Sequence, residues 1–154
     1  MDQEKNELVI SGKYDMETSL FNNDRNRKEF TSLNVNNEEE ANMLLASDGE
    51  ADFKLNDEIG KKITVIGVKA TEREEETTND ETGEVIIRLK HTLMLFDNEG
   101  KTHVTGSNAC YKSFERIVSV KRYLPTKEKP MTVKVIQTDA KEKGHKYLRL
   151  QFIK

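Results

Sequence analysis

Along this chain the hydrophobic residues change their spacing twice. From Met1 to about Asn37 they are scattered, with Leu8, Val9, Ile10, Tyr14, Phe21 and Phe30 set among Asn, Asp, Glu, Lys and Ser. A stretch with so few apolar positions cannot bury enough surface to offset the entropy of ordering, so residues 1–37 read as a mostly flexible extension, with one strand near Glu7 to Tyr14. From about Glu38 to Ala46 the spacing becomes helical, with Ala41, Leu44 and Leu45 on one face. Asn36 or Asn37 can accept from the free N–H groups at the start of this helix, Glu38, Glu39 and Glu40 complement its dipole, and Ser47-Asp48-Gly49 ends it.

After Gly60 the period becomes that of strands. Ile63-Thr64-Val65-Ile66-Gly67-Val68 is dense in β-branched residues and predicts a first strand, and the acidic stretch from Glu72 to Gly83 predicts a loop. Val85 to Phe96 then alternates, with Val85, Ile87, Leu89, Leu93 and Leu95 on one face and Arg88, Lys90 and Thr92 on the other. Asp97-Asn98-Glu99-Gly100 makes a tight turn into a third strand over Lys101 to Gly106. A helix follows from Ala109 to about Val120. Ser107 or Asn108 caps it, and Cys110, Phe114, Ile117 and Val118 make its apolar stripe. Pro125 and Pro130 bound a loop, and Met131 to Thr138 and Lys146 to Ile153 form two strands around a turn at Asp139 to Gly144. In the last strand Leu148, Leu150 and Phe152 face inward and Tyr147, Arg149 and Gln151 outward.

The order from Lys61 is βββ-α-ββ, which is the element order of the OB-fold, a five-stranded barrel with a helix plugging one end. An open five-stranded sheet with one packed helix has the same order; the long second strand favours the barrel, which bends such a strand across its two sheets. The expected fold is therefore mainly β: an OB-fold domain over residues 38–154, including the short helix, behind an acidic extension over residues 1–37.

Composition sharpens this picture. The apolar fraction is 34% of 154 residues, below the usual share for a globular chain, in keeping with an unpacked segment. No apolar run is long enough to span a bilayer, and the polar, acidic start does not read as a signal peptide, so a soluble, cytoplasmic protein is expected. The net charge of −3 conceals a division. Residues 1–60 carry 6 basic and 15 acidic groups, whereas Val85 to Lys154 carry 15 basic and 6 acidic. A basic module with β patterning points to a polyanion, because each neutralised phosphate releases counterions.

Several catalytic and metal motifs fail on spacing. Gly100-Lys101-Thr102 lacks the glycine five residues earlier that a phosphate loop needs; Leu95 stands there. Asp97 to Gly100 lacks the spaced oxygen ligands of a calcium loop. One cysteine, Cys110, and three histidines, His91, His103 and His145, cannot build a disulfide framework or a zinc finger. Cys110 falls on the apolar face of a helix, where a buried inert thiol is the common outcome. Glu74, Glu75 and Glu76 read as solvated loop acids rather than metal ligands. No catalytic activity, cofactor or metal is expected.

The basic module resembles a family: the small single-stranded-DNA-binding proteins encoded by phages and conjugative plasmids of Gram-positive bacteria. The resemblance lies in four pieces in order, Leu55-Asn56-Asp57-Glu58-Ile59-Gly60-Lys61-Lys62-Ile63, Asp97 to Thr105, Ser107 to Ile117, and Lys129-Pro130-Met131-Thr132-Val133-Lys134-Val135, and covers about the last hundred residues plus the short helix. It implies an OB-fold that coats exposed single strands during replication or transfer. Two features depart from expectation, the absence of tryptophan and the long acidic segment after the first strand.

Alternation alone supplies the candidate contacts. The outward positions of strands two, four and five give Arg88, Lys90, Lys134, Tyr147 and Arg149, cations beside a ring that can stack on a base. The expected partner is single-stranded DNA, with self-association along the strand through the N-terminal extension and no membrane contact. The competing expectation is a protein-interaction module that uses the same barrel without nucleic acid.

Overall fold

One long strand organises the sheet, and its two ends serve different neighbours. The computed structural model describes residues 13–14, 27–139 and 146–154. Their elements are β1 (Lys13–Tyr14), β2 (Arg27–Thr31), α1 (Glu38–Ala46), β3 (Phe53–Lys54), a single 3-10 turn (Leu55–Asp57), β4 (Lys62–Thr78), β5 (Val85–Asp97), β6 (Thr102–Thr105), α2 (Asn108–Lys121), β7 (Met131–Asp139) and β8 (Lys146–Ile153). The result is a mainly β structure: a curled open sheet, a half-barrel of six longer strands, with the two-residue strands β1 and β3 on its margins and two helices. Among the described residues no helix is long and apolar enough to cross a membrane.

β4 pairs with β5 along one edge from Val65 to Thr78. Its other edge takes β7 at Lys62 to Val65 and β2 at Lys69 to Arg73. A bulge between Val65 and Gly67 reverses the alternation, so that Ile63 and Val65 and then Val68 all turn into the core. Gly67 is required there for space, because a Cβ would run into the Leu33 side chain. The sheet is open: β6 is only four residues long, its outer edge takes β3 in parallel, and no ladder joins β6 to β8 among the described residues.

Both faces of the sheet are covered near its middle. On the inner face Leu93, Leu95, Val133, Val135 and Leu150 bury against Cys110 and Phe114 of α2. Ser107 caps that helix by accepting from the Cys110 N–H at 3.1 Å, and Ser113 Oγ accepts from the Leu150 N–H at 2.9 Å, tying helix to sheet. On the outer face Leu33, Met94 and Phe96 form a second small core under Met43 and Leu44 of α1. α1 has the predicted bounds, and its N–H at Glu40 donates to Asn37 Oδ1 at 3.0 Å. Its packed side differs from the expected one, since Leu45 is 67% exposed while Met43 and Leu44 pack.

The Asp97 to Gly100 turn is a polar hub. Asp97 Oδ1 accepts from the N–H groups of Glu99 and Lys101, and its Oδ2 lies 2.8 Å from Nε2 of the buried His103. The Nδ1 of that ring lies 2.6 Å from Glu58 Oε1, so His103 bridges the segment after β3 to the β5–β6 hairpin. Nearby, the N–H of Thr102 donates to Asp52 Oδ2 at 2.9 Å and holds that carboxyl below the usual carboxylate range.

Two expectations need correction. The acidic stretch is largely strand rather than loop, because Glu72 to Thr78 complete β4 and pair residue for residue with Val85 to His91; only the Asn79 to Glu84 turn remains. Acidic composition gave way to a β-branched partner strand and to opposite charges across the ladder. The loose leader also ends earlier than Asn37: Arg27–Thr31 is a sheet strand, and Leu33 is fully buried. Of the strand expected near Glu7 to Tyr14, Lys13–Tyr14 pairs with β2; the rest, like most of the turn at Asp139 to Gly144, lies outside the described residues.

Candidate nucleic-acid interface

The five outward residues expected to share one face fall into two groups. Lys134, Tyr147 and Arg149 lie together on the outer face of the β7–β8 hairpin, opposite the side on which Val133, Val135, Leu148 and Leu150 are buried. Cross-strand register fixes their neighbours: Lys134 sits between Lys62 of β4 and Gln151 of β8, Arg149 faces Ile136, and Tyr147 faces Thr138. Arg88 and Lys90 are elsewhere. They face Glu75 and Arg73, far along β4 from Lys62, with on the order of 40 Å of strand between the two groups at the usual rise per residue. Alternation assigns a side of a strand, not a position in the sheet, which is why the sequence could not separate them.

The β7–β8 face is the more cationic surface. Lys62, Lys134 and Arg149 form no ion pair among the described residues, and the outward positions beside them on β7 and β8 are Thr, Ile, Gln and Tyr, with no carboxylate. Tyr147 is 36% exposed, so part of its ring is open to solvent while the rest lies along the sheet. Lys62 was missed by the sequence reading; the alternation of Lys62 and Thr64 against buried Ile63 and Val65 was the available signal.

The second group lines the arm formed by the far halves of β4 and β5. Glu75 lies at its centre, 3.6 Å from Lys90 Nζ and 3.8 Å from Arg73 Nη2, with Arg88 directly across the ladder. Arg73 and Lys90 share one carboxylate, which weakens their draw on a phosphate, while Arg88 lies across the ladder from it. Towards the sheet the same face opens into a groove of about 690 Å³ between β2 and the end of α1, lined in part by Lys69, Arg73, Lys90 and Thr92. Lys69 is buried, its ammonium donating to Ser47 Oγ at 2.9 Å and lying 3.3 Å from Asp48. There it supplies the positive charge that the last turn of α1 lacks. Its role is to seat α1 rather than to meet a ligand.

The competing motifs have defined places. Cys110 is fully buried, and burial pushes its thiol up to about 12, so it is protonated at neutral pH. Glu74 and Glu76 point to one side of β4 and Glu75 to the other, so the three acids cannot converge on one ion. Where the arm leaves the body, His91 stacks on Tyr111 of α2 with ring centroids 4.2 Å apart and lies 3.0 Å from Glu72 Oε2. Burial, with Glu115 and Glu72 nearby, raises the Tyr111 hydroxyl above its ordinary range.

Comparison with protein-family models, with curated proteins and with solved structures finds no match for this chain.

Proposed function

We propose that this protein binds single-stranded DNA without base preference through the outer face of β7, β8 and the start of β4, and does no chemistry on it. The observation that carries the reading is the carboxylate-free cluster of Lys62, Lys134 and Arg149 beside the half-exposed ring of Tyr147. Cations without acidic partners attract the backbone, and an aromatic ring accepts any base by stacking. The pairing of β4 with both β5 and β7, the pairing of β7 with β8, and the place of α2 between β6 and β7 support reading the half-barrel as an OB-type fold. With the resemblance of about the last hundred residues and the short helix before them to phage and plasmid strand-binding proteins, this suggests protection of exposed strands during replication or transfer in the cytoplasm.

Titration of fluorescent oligothymidine and of duplex DNA of equal length tests the proposal. The expected result is tighter binding to the single strand, with log K falling against log salt at a slope near −3 if about four phosphates are neutralised. Equal or tighter binding to duplex contradicts it. A second reading, a protein-interaction module, draws on one observation: Val85, Ile87 and Leu89 are about half exposed on the arm. The acidic extension enters as an assembly element, its charge complementing the basic module of a neighbouring copy. Because Arg27–Thr31 belongs to the sheet, the deletion that tests this role stops at residue 12. Loss of cooperativity on long strands with single-site affinity retained is the expected outcome.

A further inference from the structure

The arm presents two unmet demands at one place. Val85, Ile87 and Leu89 lie on one side of β5, in line with the buried Leu93 and Leu95, yet they are 56%, 59% and 49% exposed. β6 pairs only with Leu93 to Phe96, so the backbone of β5 from Val85 to Thr92 has an open outer edge among the described residues. An apolar stripe on an open strand edge is a template for another strand.

We propose that the occupant is a second copy of this chain, joined by antiparallel pairing of β5 with β5 of its partner about a two-fold axis at Ile87. The argument is self-complementarity. With Ile87 opposite Ile87 of the partner, Val85 meets Leu89 and Leu89 meets Val85, so all three apolar residues find apolar neighbours across the new ladder. On the other side of the strands Glu84 meets Lys90, an opposite-charge pair formed twice by symmetry, and Ile86 meets Arg88. Moving the axis to Arg88 puts Arg88 opposite Arg88 and Val85 opposite His91; moving it to Ile86 pairs Val85 with Ile87 and Glu84 with Arg88 but leaves Leu89 opposite Gly83. Of the three, the Ile87-centred register is the one that gives Val85, Ile87 and Leu89 each an apolar partner. Glu74 and Glu76, on the apolar side but on β4, stay on the outer margins of the four-stranded ribbon and keep their water. This interface lies at the opposite end of β4 from the proposed DNA face and does not depend on it.

The test is the mass of the full chain in solution by sedimentation equilibrium, up to about 100 µM, where a small interface of this kind still associates. The expected result is a dimer that becomes a monomer in Ile87→Lys, with the melting temperature unchanged at dilutions where both proteins are monomeric. The register is read by cysteine cross-linking under mild oxidation, with Cys110 buried and silent. Ile87→Cys should give a covalent dimer across the axis, and Val85→Cys, which faces Leu89 of the partner, should not. A monomer at every concentration, a dimer that survives Ile87→Lys, or cross-linking at position 85 but not 87 overturns the proposal.

Discussion

The β7–β8 hairpin and the β4–β5 arm are built from the same pattern, alternating apolar and polar residues with cations outward, and they come out differently. On β7–β8 the apolar row is buried, with Val133 and Val135 at 0% and Leu150 at 1% exposure, because α2 lies over it. On the arm the apolar row continues past His91 beyond the reach of any helix, and Val85, Ile87 and Leu89 stand in solvent. The outward rows differ as well. On β7–β8 the cations face neutral side chains, whereas on the arm Arg73 and Lys90 pair with Glu75. A period of two therefore specifies sidedness alone. Burial depends on what lies above the strand, and the availability of a charge depends on which residue the ladder sets across from it.

The largest contrast between the covered and uncovered regions should appear in thiol chemistry. With its thiol pushed up to about 12, Cys110 is thiolate in only about one part in ten thousand at pH 8 and is sealed from reagent as well. An Ellman-type reagent should leave it untouched in the native protein and modify it promptly in denaturant. A cysteine placed on the arm by Ile87→Cys, kept reduced until desalting, should react at once at a dilution where the chain is monomeric. Prompt native labelling of Cys110 would show that α2 does not seal the inner face.

Truncation of the apolar rows should follow the same division. Phe114→Ala, in the core under α2, is expected to cost about 3–5 kcal/mol and Leu150→Ala about 2–5 kcal/mol in urea unfolding. Leu89→Ala on the arm should stay within about 0.5 kcal/mol, the usual range for exposed sites. Comparable losses at Leu150 and Leu89 would erase the distinction between the regions.

Smaller effects are expected at the outward ring. Tyr147→Ala should weaken oligothymidine binding by about 1–3 kcal/mol, or roughly 5- to 100-fold, and Tyr147→Phe should retain most affinity because the ring is what stacks. A lowered melting temperature with unchanged affinity would assign Tyr147 to packing instead.

Much of this was legible before any coordinates. Local signals carried α1 with its Asn37 cap, α2 with its Ser107 cap, the Asp97 to Gly100 turn, and the sidedness of β5, β7 and β8. What escaped depended on partners distant in sequence. Glu72 to Thr78 looked like loop because its own composition disfavours strand, and only the ladder to Val85 through His91 makes it one. Leu33 looked like leader because its burial comes from Gly67 and Phe96, more than thirty residues away. Arg88 and Lys90 were grouped with Lys134 and Arg149 because alternation records a side and not a distance.

The placement of the binding face is tested most directly by the salt dependence of oligothymidine binding in two double variants. Lys134→Ala with Arg149→Ala should flatten the slope of log K against log salt by about 1.4, from about 0.7 for each lost phosphate contact, and lower affinity at low salt. Arg88→Ala with Lys90→Ala, on the arm around Glu75, should flatten it by less. An unchanged slope in the first variant, or a larger change in the second, would contradict the account.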